Sequence, residues 1–190
     1  MAKSDVKKPR FLKTFFKERK QVGAVAPSSR FLVKKMCDKV DFATARVILE
    51  LGPGTGVFTT EILKRARPDA TVIAFELNDT FYKMLVDKFQ DARLTVLHQS
   101  ADEIGEVLLE KNIPYVDAII SSLPLAVIPD DITEKILSAS SQALASGGKY
   151  VQYQYSLNSR KMVTKYFPGL KLGFVTINIP PAFIYIGSKA

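Results

Sequence analysis

Two acids bracket a glycine run in this chain of 190 residues. Glu50-Leu51-Gly52-Pro53-Gly54-Thr55-Gly56 follows a β-branched stretch and opens a segment of helical spacing. Glu76 stands twenty residues beyond Gly56. Glycines let a backbone turn sharply and approach a ligand with no Cβ in the way. No Gly-Lys-Ser/Thr follows, which excludes a P-loop, and the third glycine comes one residue early for a dinucleotide fingerprint. Glu76, at a strand end, can accept hydrogen bonds from both hydroxyls of a ribose. Glu50, inside the loop, suits a ligand bearing an ammonium group, which a pyrophosphate lacks. The set suits S-adenosylmethionine. One histidine, His98, and one cysteine, Cys37, build neither a metal cluster nor an internal disulfide. No metal is expected, and a reducing cytosolic compartment fits.

Alternating strands and helices must position these residues. Strand patterns run over 45–51, 70–77, 93–99, 115–125 and 149–155, each followed by a helical pattern: 57–66, 79–89 capped by Asp79, 101–111, 130–144 stopped by Gly147-Gly148, and 156–167. Two last strands, within 170–179 and 182–188, lie too close for a parallel crossover, so one runs antiparallel. This alternation predicts a doubly wound α/β fold with a mostly parallel, seven-stranded sheet. No run is long and apolar enough to cross a bilayer, and no secretory signal is visible.

"ELGPGTG", the "FE" ending the second strand, "SADE" after the third and "SSLPL" after the fourth resemble motifs of class I S-adenosylmethionine-dependent methyltransferases. Over the whole chain, "VGAVAPSS" and "VQYQY" included, the sequence is similar to bacterial phospholipid N-methyltransferases, relatives of the rRNA adenine dimethylases. The resemblance implies that Glu50, Gly52, Gly54, Thr55 and Gly56 hold the methionine part. Glu76 with Leu77 would hold the ribose, and Ser100, Ala101 and Asp102 the adenine, Ser121 completing the cofactor site. It implies phosphatidylethanolamine as substrate, methylated toward phosphatidylcholine. Where many relatives carry Asp after the third strand this chain has Ser100, which passes the adenine-amine role to Asp102.

Ser122-Leu123-Pro124-Leu125 discriminates among acceptors. Adenine-amine methyltransferases place Asn or Asp at the first position and Tyr or Phe at the last, to accept from the amine and stack on a flipped base. Ser and Leu supply neither. Tyr153 and Tyr155, alternating near the end of the fifth strand, face one side and join Ser122 as candidates for contact with the reacting amine. Aromatic faces hold methylated ammonium well.

The charge is segregated. Residues 1–40 carry twelve Lys/Arg against three Asp/Glu, a net of +9, while the remaining 150 sum to −1. On a helical wheel Phe11, Leu12, Phe15 and Phe16 share one arc, with Arg10, Lys13, Lys17 and Lys20 opposite, as in helices lying in an anionic membrane interface. The chain divides into a basic N-terminal segment, 1–40, which also covers the cofactor, and a methyltransferase domain, 41–190. The leading expectation is a lipid N-methyltransferase peripheral to the inner face of the membrane, without a nucleic-acid partner and of undefined oligomeric state. An RNA or protein methyltransferase recruited by the basic front, and a non-enzymatic membrane-binding protein with a vestigial cofactor fold, are the alternatives.

Overall fold

The computed structural model describes residues 29–189. The elements are α1 (Arg30–Cys37), β1 (Val47–Leu51), α2 (Val57–Arg65), β2 (Thr71–Phe75), α3 (Asp79–Lys88), β3 (Leu94–Leu97), a 3₁₀ turn (Ala101–Glu103), α4 (Ile104–Glu110), β4 (Val116–Ser121), α5 (Asp130–Ala143), β5 (Leu144–Gln154), α6 (Arg160–Tyr166), β6 (Lys171–Val175) and β7 (Ala182–Ser188). The seven strands form one sheet in the order β3-β2-β1-β4-β5-β7-β6. All neighbours pair in parallel except β7, which runs antiparallel to both β5 and β6. The expected seven-stranded doubly wound sheet is therefore present.

Helices cover both faces because the central strands are apolar on both sides. One core joins Ile48, Val72, Ala118, Ile120 and Val151 to α1 and α2. The other joins Leu49, Ile73, Ile119 and Tyr150 to α4, α5 and α6. Burying several branched side chains on each face, at about 1.5–3 kcal/mol apiece, is what holds the layers. In α1, Ser29 caps the N-terminus by accepting from the Leu32 amide at 3.2 Å, and Leu32, Val33, Met36 and Cys37 are buried. Residues 30–40 are thus packed into the domain that the sequence boundary began at 41. Burial pushes the Cys37 thiol up to about 12, so it stays protonated and inert.

Four local expectations change. Asn78, not Asp79, caps α3, accepting from the Phe81 amide at 3.1 Å; Asp79 opens the first turn and pairs with Lys83. The 101–111 segment begins as a 3₁₀ turn. α5 ends at Ala143, and Gly147-Gly148 lie inside β5 as an irregularity between the Val116–Leu144 and Ala118–Lys149 pairs. There Gly147 takes a left-handed φ of 76°. Finally, α6 is only seven residues long, because 156–159 turns rather than coils.

Candidate functional site

The order of the sheet reverses between β1 and β4, and the crevice beyond their carboxyl ends is where such sheets bind ligands. The glycine loop emerges there from β1. Gly52, Gly54 and Gly56 all have positive φ (72°, 56° and 77°), a conformation that other residues adopt only with strain. Their surroundings differ. A Cβ at Gly54 would meet nothing, so this backbone is open to a ligand. A Cβ at Gly56 would lie 2.6 Å from the Phe89 ring, so packing of α2 against α3 also requires a glycine here. At Gly52 a Cβ would lie 2.8 Å from Leu123, where the glycine loop touches the loop after β4.

The two acids hold this loop from beneath. Glu76 accepts from the Gly54 amide at 2.9 Å on one oxygen and from the Asn78 amide at 2.8 Å on the other. A carboxylate offers about four lone-pair sites, so two remain for hydroxyl donors. Burial raises its pKa, against the lowering effect of those amides. Glu50 is fully buried. One oxygen accepts from the Thr59 hydroxyl at 2.7 Å; the other is buried without a hydrogen-bond partner among the described residues. Desolvation pushes this carboxyl up to about 8. An orphaned buried carboxylate oxygen beside an open glycine backbone fits a ligand that brings a positive donor.

Across the sheet, Glu76 N donates to Leu97 O, which joins the loops after β2 and β3. Ser100 and Ala101 are buried there, and Leu77 is half-buried. His98 stacks on Tyr82 with centroids 5.0 Å apart and lies 3.2 Å from the Leu77 carbonyl, on the ribose side of the crevice. Ser121 is fully buried at the end of β4, and its hydroxyl accepts from the Leu123 amide at 3.4 Å.

Beside this crevice lies a cavity of about 230 Å³. Ser122, Pro124 and Val127 from the β4–α5 loop, Tyr153 and Tyr155 from the end of β5, and Pro180 from the β6–β7 loop line it. No lining residue is charged. The two tyrosines meet edge to face at 5.6 Å, and Tyr153 stacks on Phe58, in the helix that the glycine loop opens. Tyr153 and Tyr155 thus share one side, as strand alternation predicts, and Ser122 from the loop after β4 lines the same cavity. Leu125 is buried in the core and absent from the cavity wall.

The sequence reading missed two glutamines. Gln152 and Gln154 each donate from Nε2 to the Leu123 carbonyl at 2.8 Å, and Tyr150 donates to Gln152 Oε1 at 2.8 Å. Both lone pairs of that carbonyl are taken. Ser122 Oγ, by contrast, is buried without a partner among the described residues. The signal was present in "YVQYQY", where Gln alternates with Tyr on a strand that must be buried on both faces. The amphipathic segment of Arg10, Phe11, Leu12, Lys13, Phe15, Phe16, Lys17 and Lys20, and the expected cover "VGAVAPS", lie outside the described residues.

The fold and crevice define a class I S-adenosylmethionine-dependent methyltransferase. Solved structures agree on the fold: a precorrin-6y C5,15-methyltransferase from Geobacter metallireducens superposes with a TM-score of 0.67 at 17% identity, over 85% of this chain and 89% of that one. A T. thermophilus 16S rRNA N2 G1207 methyltransferase, in complex with AdoMet and guanosine, gives 0.66 at 19% identity, over 88% and 44%. Residues 15–152 match the family model described as ribosomal RNA adenine dimethylase, and the chain belongs to that family. Its cofactor is S-adenosylmethionine. Among relatives, an ornithine lipid N-methyltransferase of Singulisphaera acidiphila is 29% identical over 177 residues, 92% of both chains. A ribosomal RNA small subunit methyltransferase A of Dehalococcoides mccartyi is 32% identical over 110 residues, which is 57% of this chain but 36% of that protein.

Proposed function

We propose that this methyltransferase N-methylates the primary amine of a membrane lipid headgroup, phosphatidylethanolamine in the first instance. The observation that carries the reading is the uncharged cavity at the end of β5, walled by two tyrosine rings and one hydroxyl without a partner among the described residues. In this reading Glu50 meets the ammonium of S-adenosylmethionine, the open backbone at Gly54 its methionine part, and Glu76 its ribose. Ser100, Ala101 and Asp102 border the adenine. The bound cofactor supplies an electrophilic methyl group. An amine needs alignment, desolvation and loss of a proton to attack it. Ser122 Oγ accepts one N–H and so aims the nitrogen lone pair, a task closed to the Leu123 carbonyl by the two glutamines. Tyr153 and Tyr155 present ring faces that retain the headgroup as methyls accumulate. With Leu125 turned into the core, that position has no aromatic face to stack a base, which argues against an adenine acceptor.

The amphipathic segment from Arg10 to Lys20 would hold the enzyme at an anionic inner membrane face. The Singulisphaera relative favours a second acceptor, an ornithine lipid, whose amine offers the same chemistry. The test is incubation with labelled cofactor, vesicles containing both amino lipids and purified rRNA, followed by extraction and mass analysis. Label in an amino lipid is expected; label confined to RNA would overturn the reading.

A further inference from the structure

The near-neutral sum over residues 41–190 conceals two opposite regions. All sixteen acidic residues of that span lie in 41–134, with eight Lys/Arg, a net of −8. From Lys135 onward there are seven Lys/Arg and no acid at all, a net of +7. The acid-free region contains β5, α6, β6 and β7, hence one wall of the acceptor cavity. It also carries the most exposed apolar side chains of its half: in the β6–β7 loop Ile177 is 64% exposed and Ile179 is 89% exposed.

The place of that loop is fixed. β6 and β7 pair through Val175–Ala182, and β7 meets the end of β5 through Phe183 and Gln154, so the loop lies at the carboxyl end of the sheet. Pro180, the neighbour of Ile179, lines the cavity, and from the opposite wall Val127 is also exposed. Buried Asn178 anchors the loop: it accepts from the Ser29 amide at 3.0 Å and donates to the Pro180 carbonyl at 2.6 Å. The two isoleucines flanking it are therefore held outward by a tethered backbone. Cations lie on the elements that adjoin this loop. Ser29 brings exposed Arg30 of α1 to the loop, Lys35 reaches the Phe174 carbonyl at 2.6 Å, and Arg160 is close enough to act on Tyr185, whose hydroxyl donates to Ser156 O at the cavity wall. Neither Arg30 nor Arg160 has an ion-pair partner among the described residues.

We infer that the β6–β7 loop, with Ile177 and Ile179, is a second membrane-contacting element, which docks the mouth of the acceptor cavity onto an anionic bilayer. Apolar side chains pointing outward beside an acceptor cavity, with cations on the adjoining elements, match the acyl boundary and the headgroup layer of such a surface. The inference rests on the lipid-acceptor reading and adds where the lipid enters: between the β4–α5 and β6–β7 loops, without leaving the bilayer.

The chain has no tryptophan, so Ile179→Trp in the full-length protein creates a single reporter. Vesicles of phosphatidylcholine with phosphatidylglycerol contain no primary amine, which separates docking from methylation. The emission of I179W is expected to move to the blue on adding these vesicles and to be quenched by brominated acyl chains. Ile177→Ser with Ile179→Ser is expected to weaken vesicle binding about tenfold or more, including at high salt, where apolar contacts persist. Unshifted, unquenched emission overturns the inference, as does a double serine variant that binds vesicles like the parent. A serine variant that changes only self-association or RNA binding also overturns it, by giving the surface to another occupant. If the emission shifts while no amino lipid accepts a methyl group, docking stands and the acceptor reading fails.

Discussion

The two halves of this sheet solve opposite problems. On the β3-β2-β1 side, a net-negative half buries two carboxylates under a glycine loop and leaves one oxygen of Glu50 without a partner among the described residues. On the β5-β7-β6 side, a net-positive region supplies one wall of a cavity with no charged lining residue and holds two isoleucines outward beside it. The first arrangement suits a small cationic ligand taken from water. The second suits an amine on a molecule that never leaves an interface. Burying charge creates specificity at a cost in stability, and the acceptor side, with an open mouth, avoids that cost. The glycine loop and the acceptor cavity touch at Gly52 and Leu123, so the two functions are adjacent yet should be separable by mutation.

The sharpest break comes from Glu76→Ala. It removes the acceptor of the Gly54 and Asn78 amides and, in the proposed site, of two ribose hydroxyls. Charge-assisted hydrogen bonds contribute about 1.5–3 kcal/mol each, so affinity for S-adenosylmethionine should fall about a hundredfold by calorimetry. Vesicle binding should not change. Equal loss of both would show that the halves are one unit.

Glu50 tests the same half through pH. Its ordinary pKa is 4.5, and burial holds it at about 8. Between those values the unfolded chain releases a proton that the folded protein keeps, so Glu50 erodes stability as pH rises through that window. Glu50→Gln should therefore be more stable than the ligand-free parent at pH 8, by up to about 4 kcal/mol, and should unfold at a higher temperature. The difference should vanish near pH 4.5, and cofactor affinity should drop. Thermal melts across pH decide; a variant less stable than the parent at pH 8 would place Glu50 in a structural role.

Ser122→Ala addresses the acceptor cavity. Removing a hydroxyl that aims the amine, with no partner left stranded, should lower turnover about tenfold. Cofactor affinity and the melting temperature should hold. Initial rates with saturating cofactor give the answer, and an unchanged rate would take Ser122 out of the site.

The cofactor half was legible in sequence because its chemistry is local. Three glycines within five residues and an acid at a strand end carry their geometry in their spacing, and the positive φ values follow. Even there the packing role of Gly56 was hidden, because nothing in the spacing says that Phe89 lies 2.6 Å from where its Cβ would be. The acceptor half was half legible. Strand alternation put Tyr153 and Tyr155 on one side, but the cavity also draws on Val127 and Pro180, which only sheet order brings together. The glutamine clamp on Leu123 went unseen because a polar residue on a strand reads as solvent-facing until the helices on both faces are in place. Averaging charge over 150 residues hid the opposition between the halves, a spatial fact that a sum erases.

Arg160→Gln gives the smallest expected effect and the finest cut. Arg160 begins α6, is exposed, and lies near the Tyr185–Ser156 contact at the cavity wall. A basic residue near an anionic surface contributes about 1 kcal/mol, and salt screens it beyond about 10 Å at 0.1 M. The variant should bind phosphatidylglycerol-containing vesicles about fivefold more weakly at low salt and match the parent at high salt. Neutral phosphatidylcholine vesicles should not distinguish the two. The isoleucine variants should show the reverse pattern, a loss that persists in salt and on both vesicle types. If Arg160→Gln behaves like the isoleucine variants, the arginine packs rather than attracts. If it has no effect even at low salt, the positive half faces away from the bilayer, and its charge belongs to some other contact.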